Sequence, residues 1–332
     1  MFASVLHEIN GKFTFQEFEK PIPTSSELLI KVSYAALNHR DVWIQKGQYA
    51  GLVFPITCGS DGCGVVEAVG ADVDASWIGK EVIVNPSLNW GPNPRVQAKD
   101  YVILGLPNHG FFAQYVSVPA NLVYEKPVHL KAKEAAAFPL AGLTGFRALF
   151  GRAKAQKGET VLITGVGGGV ALFAAQFAIA AGCKVYVTSG SEEKLEAAKA
   201  LGAIGGANYK TPDWHKALAK ESGGFDVIID GAGGPDFAKL IDLCKPSGRI
   251  ACYGATVGTW NAGIPAKVFW KQIDILGSTM GNNEEFAQMV QFISEHKIVP
   301  VVAQTFALNQ CEEAARFMDE GKQFGKIVLE IN

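Results

Sequence analysis

The stretch Thr160–Cys183, TVLITGVGGGVALFAAQFAIAAGC, contains no charged residue. On hydropathy alone it is long and apolar enough to be a membrane-span candidate. Its glycines argue otherwise. Gly167, Gly168 and Gly169 stand in a row near its first third, with Gly165 just before them. Such a run of backbone-flexible residues marks a break between two elements. The pattern is a short strand over Val161–Thr164, a turn, and a helix over Val170–Ala181. The turn, TGVGGGVA over Thr164–Ala171, has the composition a pyrophosphate requires. Glycines let an anion approach the backbone, and a helix N-terminus offers unpaired N–H groups and a positive dipole end. The match to G-x-G-x-x-G is imperfect, with Val166 at the first glycine position when Gly168 and Ala171 are taken as the second and third. In isolation such a turn is only a tight turn; between a strand and a helix in a βαβ array it is a dinucleotide site.

That array is present on the C-terminal side. KVYVT (Lys184–Thr188), FDVIID (Phe225–Asp230), RIACY (Arg249–Tyr253) and DIL (Asp274–Leu276) read as strands. Glu192–Leu201, Asp236–Cys244 and Glu284–His296 read as helices between or after them. Alternation of this kind implies a doubly wound parallel sheet. On the N-terminal side the texture differs. Leu28–Leu37, Gly59–Val69, Lys80–Val84 and Phe111–Val118 are strand candidates punctuated by Gly and Pro, as in a compact β-barrel. Asn85–Asn108, with four prolines, reads as a long excursion. Lys133–Leu149 reads as two short helices broken near Pro139. Strand character returns at Lys326–Ile331 and can close back onto the first domain. The expected division is residues 1–125, completed by 300–332, and residues 126–299.

The 332 residues suit about two domains. Apolar residues are 48% and charged residues 19%, the latter below the ~25% usual for globular domains. Glycine, 37 residues or about 11%, exceeds the usual ~7%. A net charge of −2, with no basic run, excludes a nucleic-acid or anionic-membrane footprint. The six cysteines form no C-x-x-C pair and are too sparse for a disulfide framework. With no signal-peptide pattern at MFASVLHEINGKFTF, the expectation is a cytoplasmic protein.

The end of the next strand selects the dinucleotide. NAD sites place an acid about 20 residues after the glycines to bind the ribose 2′-hydroxyl. Here that count reaches Thr188, followed by Ser189 and Gly190, all uncharged. Small polar groups accept a 2′-phosphate that an acid would repel, and Lys194 lies on the first turn of the following helix to pair with it. The plain alternative is a Ser-Gly turn and a solvated lysine. The expected cofactor is NADP(H).

The chain resembles the medium-chain dehydrogenase/reductase superfamily along essentially its whole length. The resemblance is carried by Asn38-His39-Arg40-Asp41, Gly59-Ser60-Asp61-Gly62, Ala141–Gly145 (AGLTG), Thr164–Ala171 and Phe324–Leu329 (FGKIVL). It implies a GroES-like β-barrel domain followed by a Rossmann domain. Zinc-dependent members carry a cysteine, a G-H-E and a third ligand. Here Asn38 stands at the cysteine, Ser60-Asp61 at the His-Glu, and no third ligand follows. The excursion at the place of the family's structural zinc lobe contains no cysteine. The resemblance is therefore to the zinc-independent quinone oxidoreductase and enone reductase branch. It implies Asn38, Trp43 and Thr144 near the nicotinamide, and Gly168, Gly169 and Val170 along the pyrophosphate. It further implies Ser189, Gly190, Lys194 and Tyr209 at the 2′-phosphate end, and Lys326 reaching the cofactor from the last strand. Each has a rival: Trp43 a core residue, Thr144 a helix cap. Without a metal, charge developing on a carbonyl oxygen needs hydrogen-bond donors. The candidates are the Asn38 amide, a hydroxyl such as that of Ser60 or Tyr49, and the cofactor ribose itself.

The expected activity is NADPH-dependent hydride transfer to small α,β-unsaturated carbonyls or quinones. The alternatives are a zinc-type alcohol dehydrogenase with atypical ligands (Asp41, His39, Asp61) and a non-enzymatic NADPH-binding sensor. A small-molecule substrate and a homodimer, paired through the edge strand near Ile275–Met280, complete the expectation.

Overall fold

The structure, a computed structural model, describes residues 1–260 and 265–332. It divides into two units, Met1–Ala141 with Gly281–Asn332, and Gly142–Met280.

In the second unit, Thr160–Ile163 is the strand at the start of the opening motif, and Val161, Leu162 and Ile163 are fully buried. A strand covered on both faces is a continuous apolar run rather than an alternating one. It lies inside a six-stranded parallel sheet with the order Gly205–Asn208, Lys184–Ser189, Thr160–Ile163, Phe225–Asp230, Cys244–Cys252, Asp274–Gly277. This is the strand order 3-2-1-4-5-6 of the doubly wound fold, whose switch point lies between the first and fourth strands. The helix Gly169–Ala180 is apolar nearly all round and mostly buried. The uncharged stretch is thus a buried strand, a loop and a buried helix. No helix among the described residues is long and apolar enough to cross a membrane. The following helix, Glu192–Ala200, starts at Ser191, whose side chain accepts the Lys194 N–H, with two glutamates in its first turn against the dipole. Leu162, Tyr186, Leu218, Phe225, Ile228, Leu240 and Ile250 build the core of this unit. The last strand of the sheet, Asp274–Gly277, is mostly exposed, and Phe269 and Trp270 just before it are 67% and 84% exposed.

In the first unit a curled sheet runs Val302–Ala307, Lys326–Glu330, Glu27–Ala36, Asp61–Val69, Glu81–Val84, Val123–Glu125, with Tyr115–Pro119 also on Glu27–Ala36. All its pairings are antiparallel except that between Val302–Ala307 and Lys326–Glu330. The C-terminal strand therefore returns to the N-terminal sheet. The strand expected from Phe111 begins only at Tyr115. Phe111 and Phe112 are instead buried, and their N–H groups donate to Gly59 and Cys58 carbonyls. The excursion contains a two-stranded pairing of Ser87–Leu88 with Val102–Ile103. The short helix Ala132–Ala136 and the helix Asn283–Glu295 belong to this unit too. Ala137 packs with Ala36 and Val328, and Asn283 bonds Asn85 and Tyr124. Hence residues 126–141 and 281–299 fall on the N-terminal side of the division.

Candidate active site

Three strand ends in the first unit converge. Ala36, the last residue of its strand, pairs with Asp61 on one side and Val328 on the other, and the Leu37 N–H donates to Ile327 O at 3.0 Å. This register places Asn38, Asp61 and Lys326 together. Lys326 Nζ donates to Asn38 Oδ1 at 2.7 Å and to Asp61 Oδ2 at 3.0 Å. Asn38 Nδ2 donates to the same Asp61 Oδ2 at 2.8 Å, and the Leu140 N–H donates to Asp61 Oδ1 at 2.7 Å. An ammonium, an amide and a carboxylate thus form a closed hydrogen-bonded ring in a buried setting. Asn38 and Lys326, each expected separately at the cofactor, meet here. Asp61 is the member whose part in it was not read from the sequence. Its one sequence signal is the acid in Gly59-Ser60-Asp61-Gly62; its meeting with Lys326 depends on strand register.

Beside it lies a second buried ion. Arg40 donates through Nη1 to Ser60 Oγ at 2.6 Å and to Leu104 O at 2.9 Å, and its guanidinium stands 5.0 Å from the Tyr49 ring centroid. Ser60 and Tyr49, the two expected hydroxyl donors, are therefore gathered around Arg40, a residue not singled out from the sequence. Ser60 accepts from a cation, which leaves its own proton as a polarised donor. Trp43, on the helix His39–Gln45, is half-buried with its ring 5.8 Å from that of His39.

Asp41 opens the same helix. Its carboxylate accepts the Asn38 N–H at 2.7 Å and the Gly59 N–H at 3.4 Å. Burial pushes its pKa up to about 6, against the pull of Arg40. The folded form therefore holds a proton that the unfolded chain releases near pH 4. The stability this proton lends is complete below pH 4 and is lost as pH rises through 6. Asp41→Asn removes the effect. Between pH 4 and pH 7.5, wild-type stability should fall relative to the variant by about 3 kcal/mol in chemical denaturation. A constant difference across that range contradicts the assignment.

In the second unit the glycine loop is held open by its backbone. The Gly165 N–H donates to Thr188 Oγ1 at 3.0 Å and the Val166 N–H to Thr188 O at 2.7 Å. Gly165 and Gly167 have φ of 64° and 138°, a region costly for other residues. A Cβ placed on Gly168 would meet nothing within 4 Å. Gly168 caps the helix Gly169–Ala180 without a side-chain bond, so the first-turn N–H groups, those of Gly169 and Val170 among them, receive no side-chain cap. Below the loop, Thr164 Oγ1 donates to Asp230 Oδ1 at 2.6 Å and the Gly233 N–H to Asp230 Oδ2 at 3.0 Å. Burial raises the pKa of this carboxylate. Asp230 ties the two central strand ends together and was not read from the sequence.

At the end of the next strand, Ser189 Oγ accepts the Ser191 N–H at 3.3 Å, and the Tyr209 N–H donates to Ser189 O. A Cβ on Gly190 would lie 2.6 Å from Tyr209 Oη and 2.9 Å from Lys210 Cε. Ser189, Gly190 and Tyr209 thus come together as expected, joined by Lys210, which no sequence motif singles out. Lys194 lies elsewhere than beside Gly190 alone. Its stem crosses the glycine loop, with Cδ 2.9 Å from where a Gly167 Cβ would stand, and burial lowers its pKa. Thr144 sits inside the helix Pro139–Phe146, so the cap alternative fails, and its hydroxyl contacts Met280 Sδ at 3.5 Å.

Residues 24–128 match the model described as alcohol dehydrogenase GroES-like domain, and residues 169–295 the model described as zinc-binding dehydrogenase. A zinc-type alcohol dehydrogenase-like protein, YogA, of Leptosphaeria maculans is 40% identical over 94% of this chain and 92% of its own length. The chain belongs to the medium-chain dehydrogenase/reductase superfamily. Its first unit contains the GroES-like domain and its second the Rossmann sheet. It is an oxidoreductase of that superfamily. Human quinone oxidoreductase is 29% identical over 93% of this chain and 90% of its own. A solved structure described as an NAD-dependent alcohol dehydrogenase is 37% identical, covers 100% of both chains and superposes with a TM-score of 0.95. The relatives thus divide between alcohol dehydrogenase and quinone oxidoreductase names.

Proposed function

We propose that this protein is a zinc-independent, NADPH-dependent reductase of small α,β-unsaturated carbonyls or quinones. The observation that carries the reading is the ammonium of Lys326 bonded to Asn38 and Asp61. A catalytic zinc takes three protein ligands of Cys, His or carboxylate type. Among the described residues no three such side chains are grouped. Asp61, the carboxylate at that place, already receives an ammonium, an amide and a backbone N–H. A cation beside its oxygens repels a second one, so these residues do not fit zinc. Residues at the glycine loop do fit a dinucleotide, because the open space at Gly168 and the helix N-terminus form a cradle that a Cβ would fill. When bound, NADPH supplies a hydride to the electron-poor carbon. The chain's own part is to stabilise the negative charge that develops on the substrate oxygen. Asn38 and Lys326 have N–H donors for this, and the Arg40-bound Ser60 and Tyr49 have hydroxyls. Trp43 and Thr144 are assigned to the nicotinamide end, and Gly169 and Val170 to the pyrophosphate.

The test is oxidation of NADPH and NADH with a panel of enones, enals, quinones and, in reverse, alcohols. Turnover of conjugated acceptors with NADPH supports the reading, and activity confined to alcohols with NAD overturns it.

The cations near Gly190 and the glycine loop support NADPH over NADH. Lys194→Ala should weaken NADPH binding about tenfold, the loss of roughly one charge-assisted contact, and NADH binding less than threefold. Equal losses measured by fluorescence titration place the lysine at the pyrophosphate, which its path across Gly167 also permits.

The protein is assigned as a cytoplasmic homodimer. Its cysteines are all unpaired. The exposed edge strand Asp274–Gly277, with Ile275 38% exposed, offers a two-fold pairing surface. Ile275→Pro removes an edge N–H and should shift the sedimenting species from twice 35.4 kDa to 35.4 kDa. A wild-type monomer contradicts the assignment.

A further inference from the structure

We propose that Asp61 is a positioning residue for the reduction, acting through Asn38 and Lys326. Its role rests on the reductase reading, in which it aims the site's donors. Asp61 has no exposed surface, whereas Asn38 and Lys326 keep 7% and 3%. Of the three, the carboxylate is the one with no accessible surface.

The ring of hydrogen bonds fixes the orientation of both partners. Asn38 presents Oδ1 to an ammonium and Nδ2 to a carboxylate. Reversing the amide would set its NH₂ against the ammonium and its oxygen against the carboxylate, so each group would face its like. Asp61 itself cannot rotate away, because Oδ1 is held by the Leu140 N–H at 2.7 Å. The donor count then shows what is left. Asn38 Nδ2 has two hydrogens, of which Asp61 takes one. Lys326 Nζ has three, of which Asn38 and Asp61 take two. One N–H on each remains for a ligand, in directions set by the carboxylate. A buried ion pair is by itself weak evidence for a role in stability. Orienting two donors before the reaction lowers the reorganisation needed when charge develops.

Asp61→Asn keeps the shape and removes the charge. For NADPH-dependent reduction, kcat should fall at least 30-fold, while KM for substrate and cofactor stays within threefold. An unchanged kcat, or a loss confined to KM, overturns the proposal. A second readout needs no turnover. In ¹H–¹⁵N spectra, the Lys326 ammonium signal, assigned by its loss in Lys326→Met, should move or vanish in Asp61→Asn; an unmoved signal overturns the proposal. In the wild type, the Asn38 side-chain amide protons should exchange far more slowly than those of exposed asparagines. Equal exchange overturns the proposal even if the variant does not fold. Absence of any wild-type reductase activity refutes the reductase reading instead, and the two spectroscopic results then judge Asp61 alone.

Discussion

Lys326→Met should lower kcat/KM for a conjugated acceptor by about 10²–10³-fold, the scale seen when a donor to a developing oxyanion is removed. The same change should reduce stability by about 3–5 kcal/mol, because Asp61 is left buried with its countercharge gone. The two losses have different causes and can be separated. In the double variant Lys326→Met with Asp61→Asn, no unpaired charge remains, so chemical denaturation should show most of the stability restored. Activity should stay low, since the ammonium is still absent. Activity that recovers together with stability would show that Lys326 serves the fold alone.

Gly168→Val should abolish dinucleotide binding and leave the fold intact. The backbone there has φ −78° and ψ 159°, which any residue adopts, and a Cβ meets no atom within 4 Å. The added side chain therefore costs the folded chain little. It would instead fill the space above the first-turn N–H groups of Gly169–Ala180 that an anion needs. NADPH affinity should fall at least 100-fold, with a melting temperature close to wild type. Retained binding in calorimetry would place the pyrophosphate elsewhere. Gly167 makes a poorer test, because φ of 138° and the Lys194 stem would strain any substitution regardless of ligand.

The parts legible in the sequence are those set by short-range chemistry. The uncharged run Thr160–Cys183 identified a strand, a loop and a helix, because a strand covered on both faces has no reason to alternate. Asn38 and Lys326 were singled out as well, but only through resemblance, since 288 positions separate them. Their meeting depends on strand register at Ala36, which no local pattern encodes. Arg40 was hidden for a similar reason. A charged residue in the first turn of a short helix reads as a solvated surface, whereas here Ser60 and Leu104 O, from distant segments, surround its guanidinium. The strand expected at Phe111 failed because its two aromatics serve the core, while their N–H groups bond the Cys58–Gly59 turn rather than a sheet partner. Lys210 has no sequence signal, because only the fold brings its side chain beside Gly190.

Arg40, Asp41, Asp61 and Lys326 place two positive and two negative side chains in the interior of the first unit. Such a set is costly to desolvate and is retained where fixed charge has a use. On the proposed reductase reading, that use is to do with an ammonium and an amide what a zinc ion does in other dehydrogenases. The most direct measurement is reductase turnover of the purified protein with NADPH and an enone or quinone, before and after exhaustive treatment with a zinc chelator, alongside its metal content. Zinc-independent catalysis predicts turnover that the chelator leaves unchanged and less than roughly one-tenth of a zinc ion per chain, in keeping with the described residues, among which no three zinc ligands are grouped. Activity that is lost on chelation and restored by added zinc would contradict it.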